Sequence, residues 1–192
     1  MSFLNLAHKK VILASASPRR SFLLNSIGIK HEVQKINFTE TLSRLPLPEK
    51  TAEEIAKSKI NQINNIKDNH IYITADTTVI QDSRVLGKPI NELEAKKTLK
   101  AYSGKSHLVI TGVCIASSDK KISFSATTKV HFMEISNQEI DYYIKNHKPF
   151  DKAGSYGIQE WFGATKIKSI TGCYYNVMGL PTQMVYSALK CF

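Results

Sequence analysis

Val11-Ile-Leu-Ala-Ser-Ala-Ser-Pro-Arg-Arg20 is the stretch that decides how this chain is read. It opens as a short apolar run of the kind buried in a strand. Ser15 and Ser17 break the run and Pro18 ends it. Beyond it, Phe22, Leu23, Leu24 and Ile27 follow a helical pattern, and Gly28 supplies a stop. The stretch therefore predicts strand, tight turn, helix. Ser17 suits the N-cap, and Pro18 suits the first helical position, where its missing N–H costs nothing. Arg19 and Arg20 then fall in the first turn, where the helix dipole is positive and cations are unfavourable. An incoming anion resolves that conflict. Free amides, the hydroxyls of Ser15 and Ser17, and two guanidiniums converging on one point predict a phosphate site. The plainer alternative is a pair of solvated arginines at a helix start.

The rest of the composition is compatible with such a site. The chain has 192 residues and 42% apolar content, enough for a proper core, and one domain spanning residues 1–192 is expected. Its 26 basic and 16 acidic residues leave a net charge of +10, which suits a polyanionic ligand. The lysines are scattered without a long run, which speaks against a nucleic-acid-binding tail. Three widely spaced cysteines, Cys114, Cys173 and Cys191, contain no C-x-x-C pair. That argues against a disulfide framework or a zinc site and for a reducing, cytoplasmic setting. The N-terminus is too short and polar for a signal peptide, and no apolar run approaches the ~18 residues a membrane span needs.

Outward from the first unit, His31 to Ile36 reads as a strand and Asn37 to Pro48 as a loop containing Glu40. A helix is expected from Thr51 to Ile66, with Ala52, Ile55, Ala56, Ile60, Ile63 and Ile66 on its apolar face. Lys59 lies along that same face, so it needs a partner or a polar cavity. Ile71 to Ile80 is a β-branched run suited to a central strand, interrupted by Asp76. A carboxylate there is expensive unless hydrogen-bonded or set at a cleft. A helix from Glu92 to Tyr102 is expected to bury Leu93, Ala95 or the Lys96 stem, Leu99 and Tyr102. Segments His107–Ser117 and Ile122–Met133 read as a hairpin. Ser136 and Glu139 form a capping box before a helix burying Ile140, Tyr143 and Ile144. Glycines three apart in Gly154-Ser-Tyr-Gly157 permit close approach of backbone to ligand. Ala164 to Ile170 is a strand candidate, and Gly172 to Leu180 a tyrosine-rich loop. A last helix starts at Pro181 with Met184, Val185, Ala188 and Leu189 inward. This order predicts an α/β fold, a twisted mixed sheet flanked by helices, with a cleft where the polar interruptions gather.

Leu13-Ala-Ser-Ala-Ser-Pro-Arg-Arg20, Ala75-Asp-Thr-Thr-Val79, Leu86-Gly-Lys-Pro89, Ser103-Gly-Lys-Ser-His107, Thr111-Gly112, Lys152-Ala-Gly-Ser-Tyr-Gly-Ile-Gln159 and Asn176-Val-Met-Gly-Leu-Pro181 stand in this order along the chain. In order and spacing these seven blocks resemble the Maf family, over nearly the whole sequence. The resemblance implies a nucleoside triphosphate pyrophosphatase that cleaves the α–β phosphoanhydride to give a monophosphate and pyrophosphate. It implies a fold like that of the inosine triphosphate pyrophosphatases, with two lobes and a central cleft. It also implies a divalent metal cofactor, Mg²⁺ or Mn²⁺, and a homodimer. Ala75-Asp76-Thr77 with Gly157-Ile158-Gln159 resembles the dTTP/UTP branch. By the same resemblance Asp76 is the catalytic base, while Arg19, Thr77 and Gln159 set substrate preference. Glu40, Lys59 and Lys88 match positions lining the triphosphate and metal, with Asp76 and Glu40 as the metal ligands. Glu40 lacks the acidic neighbour often found at that position in the family.

The chemistry is consistent with these residues. A triphosphate brings about four negative charges, which Arg19, Arg20, Lys59, Lys88 and a metal ion can neutralise. Gln159 can offer both donor and acceptor to a pyrimidine edge. His107 and His131 read as strand residues, since no metal-ligand spacing joins them. Cys173 has no adjacent histidine to activate it. Trp161, Tyr174 and Tyr175 read as packing or dimer contacts, with stacking of one ring on the base as the alternative. Two other functions compete with house-cleaning of dTTP, UTP and modified pyrimidine triphosphates. One is hydrolysis of inosine- or xanthosine-type triphosphates in the same cleft. The other is a nucleotide-binding regulator of cell division and septum formation. A nucleic-acid partner is not expected, because no DNA- or RNA-binding block is visible.

Overall fold

The structure is a computed structural model that describes residues 4, 6, 8–36, 38 and 47–192. Its centre is a seven-stranded mixed sheet flanked by helices, in the order β2-β1-β3-β5-β6-β7, with β4 added to β3. The strands are β1 (Lys10–Leu13), β2 (Glu32–Val33), β3 (His70–Gln81), β4 (Arg84–Leu86), β5 (Ser106–Ala116), β6 (Lys121–Phe132) and β7 (Ile167–Thr171). β1 pairs in parallel with both β2 and β3, whereas β3–β4 and β6–β7 are antiparallel. The helices are α1 (Pro18–Ser26), α2 (Thr51–Asn61), α3 (Glu92–Ala101), α4 (Asn137–His147), α5 (Trp161–Lys166), α6 (Tyr174–Met178) and α7 (Thr182–Leu189). The chain forms two compact units. The first contains Met1–Asp76, Thr111–Ala126 and Gly179–Phe192, and the second contains Thr77–Ile110 and Thr127–Met178. The long strands β3, β5 and β6 contribute residues to both.

In the first unit, Ile12, Ala56, Ile60, Tyr72, Cys114 and Ala116 form a core against which Ile63 and Ile66 pack. α2 lies hard on the sheet because Gly112 of β5 lacks a side chain. A Cβ there would sit 2.2–2.3 Å from the backbone of Ala52 and Glu53, far inside van der Waals contact. Thr74 of β3 adds a buried hydrogen bond, its hydroxyl donating to the Ala56 carbonyl at 2.7 Å. These two contacts fix the rotation of α2, and with it the direction of Lys59.

The second unit packs around aromatic rings. Tyr102, His107, Phe132, Tyr156 and Phe162 are all buried, and Tyr102 stacks on Phe132 at 4.9 Å. α3 and α4 pack side by side and are tied at the surface by Lys96 and Asp141, 2.6 Å apart. The expected capping box opens α4: the Ser136 hydroxyl accepts from the Glu139 amide while the Glu139 carboxylate accepts from the Ser136 amide.

Several elements differ from expectation. α2 stops at Asn61, five residues short, because the asparagine-rich stretch after it favours turns. Ile63 and Ile66 nonetheless cover the core from irregular backbone. Leu93 is 78% exposed, not buried, since it falls on the face of α3 opposite Ala95 and Leu99. β2 is only two residues long. Ala164 to Lys166 belong to the short helix α5, with the strand starting at Ile167, and the supposed loop after Gly172 contains α6. Of the expected inward residues of α7, Val185 and Leu189 are buried, and Met184 and Ala188 are half-buried. Among the described residues no helix is long and apolar enough to cross a membrane.

Candidate active site

β1 and α1 are joined by Ala14–Ser17, as the opening stretch predicts, and Pro18 takes the first helical position. The capping differs in detail. Ser17 has the extended backbone of an N-cap, but its side chain makes no capping hydrogen bond. Ser15 acts instead: its Oγ accepts from the Ser17 amide at 3.3 Å and from Nη1 of Arg20 at 3.1 Å. Arg20 also donates through Nε to the carbonyl of Gly179 at 3.0 Å. Its planar fork thus joins the β1–α1 turn to the segment preceding α7. Burial lowers the pKa of Arg20, the negative charge of Asp76 acts to raise it, and the neighbouring Arg19 lowers it. An arginine stays charged under all such influences. Arg19 is half-buried in the same turn of α1.

Lys59 finds the partner its position on the apolar face requires. Its ammonium donates to Oδ1 of Asp76 at 2.7 Å and to the Ala75 carbonyl at 3.2 Å. The same ammonium lies 5.3 Å from the centre of the Phe38 ring, a cation–π contact. The side chains of Lys59 and Asp76 are only 15% and 25% exposed, so the pair is largely withdrawn from water yet reachable. The sequence shows that Lys59 needs a partner but not which one. The partner is set by α2 seated on β3. The first unit therefore brings together Ser15, Arg20, Lys59 and Asp76, with Ser17 and Arg19 alongside in sequence.

In the second unit, Thr77 follows Asp76 on β3 and is half-buried. Lys88 and Gln159 are both exposed. Their two loops meet: the Gly154 amide donates to the carbonyl of Gly87, next to Lys88, at 3.0 Å. The Tyr102 hydroxyl holds the Gly154 carbonyl at 3.0 Å. Gln159 lies in a turn closed by the Glu160 amide, which donates to the Gly157 carbonyl at 3.1 Å. His107 is a buried strand residue, as expected, with Nε2 3.0 Å from the Tyr156 hydroxyl. Burial pushes its pKa down to about 4. Trp161 packs on Tyr142 at 4.9 Å. Sequence reasoning places Tyr143 on the buried face of its helix and Lys152 at the head of a family block, but gives neither of them, nor Glu160, a part in holding this turn. Only the glycine spacing around Gly157 signalled that something must approach the backbone there.

Glu40 lies outside the described residues. Among the described residues no three histidine, cysteine, aspartate or glutamate side chains gather to hold a metal. Asp76 offers a hard carboxylate ligand. Magnesium is commonly held by one or two carboxylates with substrate phosphates and water completing the shell. The donor set therefore fits a metal that arrives with a phosphorylated ligand.

The chain is similar to known proteins over nearly its whole length. A dTTP/UTP pyrophosphatase of Phocaeicola vulgatus is 48% identical over 191 residues, covering 97% of both chains. Those of Porphyromonas gingivalis and Christiangramia forsetii are each 42% identical. The alignments cover 98% and 96% of this chain and 96% and 95% of theirs. The model of the Maf-like protein family matches residues 10–192, and so the chain belongs to the Maf family.

Proposed function

We propose that this protein hydrolyses dTTP and UTP, and modified pyrimidine triphosphates of the same shape, to the monophosphate and pyrophosphate. The observation that carries this reading is the Lys59–Asp76 pair at 2.7 Å, beside the Arg20 fork, in a chain matched over 97% of its length by a dTTP/UTP pyrophosphatase. Asp76 accepts a proton from the attacking water, whose oxygen bonds to phosphorus as the α–β bridging bond breaks. The electron pair of that bond leaves with pyrophosphate. Lys59 orients the Asp76 carboxylate. Arg19 neutralises phosphate charge, Lys88 is given the same task by its match to the family position, and Arg20 keeps the β1–α1 turn in shape and adds its own positive field. Chemistry of this kind is mostly positioning and charge stabilisation. Asp76, with Glu40, would hold Mg²⁺ or Mn²⁺, which supplies further neutralisation of the phosphates. Thr77 and Gln159 recognise the base, Gln159 by its paired donor and acceptor.

Residues 1–192 act in this proposal as one functional domain, which the family match across both units supports. A cytoplasmic house-cleaning role and a homodimer belong to the same reading. The three free cysteines support the reducing compartment. The deciding experiment is a panel of purified protein against dTTP, UTP, CTP, ATP, GTP and inosine triphosphate, with Mg²⁺ or Mn²⁺, monitored for both pyrophosphate and orthophosphate. Pyrophosphate release fastest with dTTP and UTP is expected. Orthophosphate as the first product, or a preference for inosine triphosphate, would refute the reading.

A further inference from the structure

Gln159 is an exposed residue in a four-residue turn, and such a side chain has no reason of its own to keep one direction. The turn is held from outside. The Gly157 amide donates to the Tyr143 hydroxyl at 2.9 Å, and that hydroxyl donates in turn to the carboxylate of Glu160. One buried phenol on α4 therefore bridges both ends of the Gly157–Glu160 turn. The other carboxylate oxygen of Glu160 is 3.0 Å from the ammonium of Lys152, which also meets Asp151 at 2.7 Å. Lys152 is deeply set, its side chain 10% exposed. Glu160 can fold back over the turn because Gly157 has no Cβ; one there would lie 2.7 Å from the Glu160 carboxyl carbon.

This arrangement is a poor way to gain stability alone. A withdrawn lysine–carboxylate pair recovers little beyond its own desolvation, and apolar residues of similar volume often do as well. What such a pair gives is a fixed geometry. The approach to the turn shows the same over-determination. Gly154 and Ser155 are both left-handed, at φ 75° and 66°, a conformation that strains the serine, and among the described residues the buried Ser155 hydroxyl finds no hydrogen-bond partner. Backbone strain of this kind persists only where the surroundings enforce it.

We propose that Tyr143, Glu160 and Lys152 are positioning residues that hold the Gly157–Glu160 turn so that Gln159 presents its amide to the nucleobase. The proposal rests on the reading of Gln159 given above. It predicts that base selectivity depends on a hydroxyl that never touches substrate. The test compares Tyr143→Phe, Gln159→Ala and the double variant by steady-state kinetics on dTTP, UTP, ATP and GTP, with thermal melts alongside. Tyr143→Phe keeps the ring and removes the bridge. The expected result is an about ten-fold fall in the dTTP-over-GTP ratio of kcat/KM. The fall should lie mainly in KM for the pyrimidine substrates. The double variant should be no less selective than Gln159→Ala alone, because both changes act on one contact. Glu160→Gln, which keeps an acceptor for Tyr143, should retain more selectivity than Glu160→Ala. If Tyr143→Phe does not fold, Lys152→Met, which removes the ion pair at similar volume, takes its place. Gln159→Ala shifting selectivity while Tyr143→Phe only lowers the melting temperature would overturn the positioning role and leave the reading of Gln159 intact. Gln159→Ala leaving the ranking untouched would overturn that reading, and this proposal with it.

Discussion

In the unit that holds Arg20, Lys59 and Asp76, the side chains proposed for the site are one another's partners. Lys59 is bonded to Asp76, Arg20 to Ser15, and the Asp76 charge reaches Arg20. In the unit that holds Lys88 and Gln159, those two side chains are exposed, and other residues, such as Tyr102, Tyr143 and Lys152, fix the loops that carry them. The first arrangement makes chemistry and stability hard to separate. The second leaves the reading side chains easy to change and puts the constraint one layer behind them. Substitutions at corresponding places in the two units should therefore fail differently.

The largest expected difference is at Asp76. Asp76→Asn retains an oxygen for Lys59, so it should fold normally. Its turnover of dTTP should fall about 10²–10⁴-fold, the usual contribution of a positioned base. Pyrophosphate release at saturating substrate measures this, and turnover near that of the unmodified protein would remove Asp76 from the role.

The second unit should instead show its weakness to acid. His107 is held neutral by burial, with a pKa near 4 against an ordinary 6.5. Above pH 6.5 neither folded nor unfolded chain protonates this ring, and its contribution is fully present. Between pH 6.5 and 4 only the unfolded chain takes up the proton, so stability falls as pH falls. At about 1.4 kcal/mol per pH unit the loss across that window is about 3 kcal/mol. Glu139, held near 2 chiefly by its hydrogen bond from Lys166, loses its contribution only at lower pH, from about 4.5 downward. Urea denaturation from pH 7 to 4 should show the decline, and His107→Gln should flatten it. An unchanged slope in that variant would place the acid sensitivity elsewhere.

A smaller effect separates the units directly. Arg20→Ala leaves the Ser15 hydroxyl and the Gly179 carbonyl without their shared partner. It should cost about 2 kcal/mol, the scale of hydrogen bonds to a charged group, and lower turnover as well. Gln159→Ala, at an exposed site, should stay within about 0.5 kcal/mol. Equal destabilisation by both would erase the contrast between the units. Smallest of all, Ser155→Gly relieves a left-handed φ and removes a buried hydroxyl without a partner, and should raise stability by about 1 kcal/mol in the same denaturation experiment.

What was legible in the sequence was mostly local. The strand–turn–helix around Pro18, the β-branched β3 and the capping box of α4 each announce themselves within about ten residues. Lys59 stands out in the sequence because helical spacing puts a charge on an apolar face. Helix ends were less legible. The apolar period continues through Ile63 and Ile66, yet those side chains reach the core from irregular backbone, which periodicity alone does not distinguish from helix. The short helices α5 and α6 carry no side-chain capping signal that would reveal them. Partnerships between distant elements were not legible at all. Lys59 with Asp76, or Tyr143 with both Gly157 and Glu160, depend on how α2 and α4 sit on their neighbours.

The bond from Arg20 to Gly179 spans 159 positions of sequence. During synthesis the β1–α1 turn emerges with its serines and arginines 159 residues before the carbonyl that anchors Arg20. Until then the fork has no fixed seat. A nascent chain can carry Ser15, Arg20, Lys59 and Asp76 and still lack the bond that closes the Arg20 fork, so the fork is complete only once Gly179 has been made.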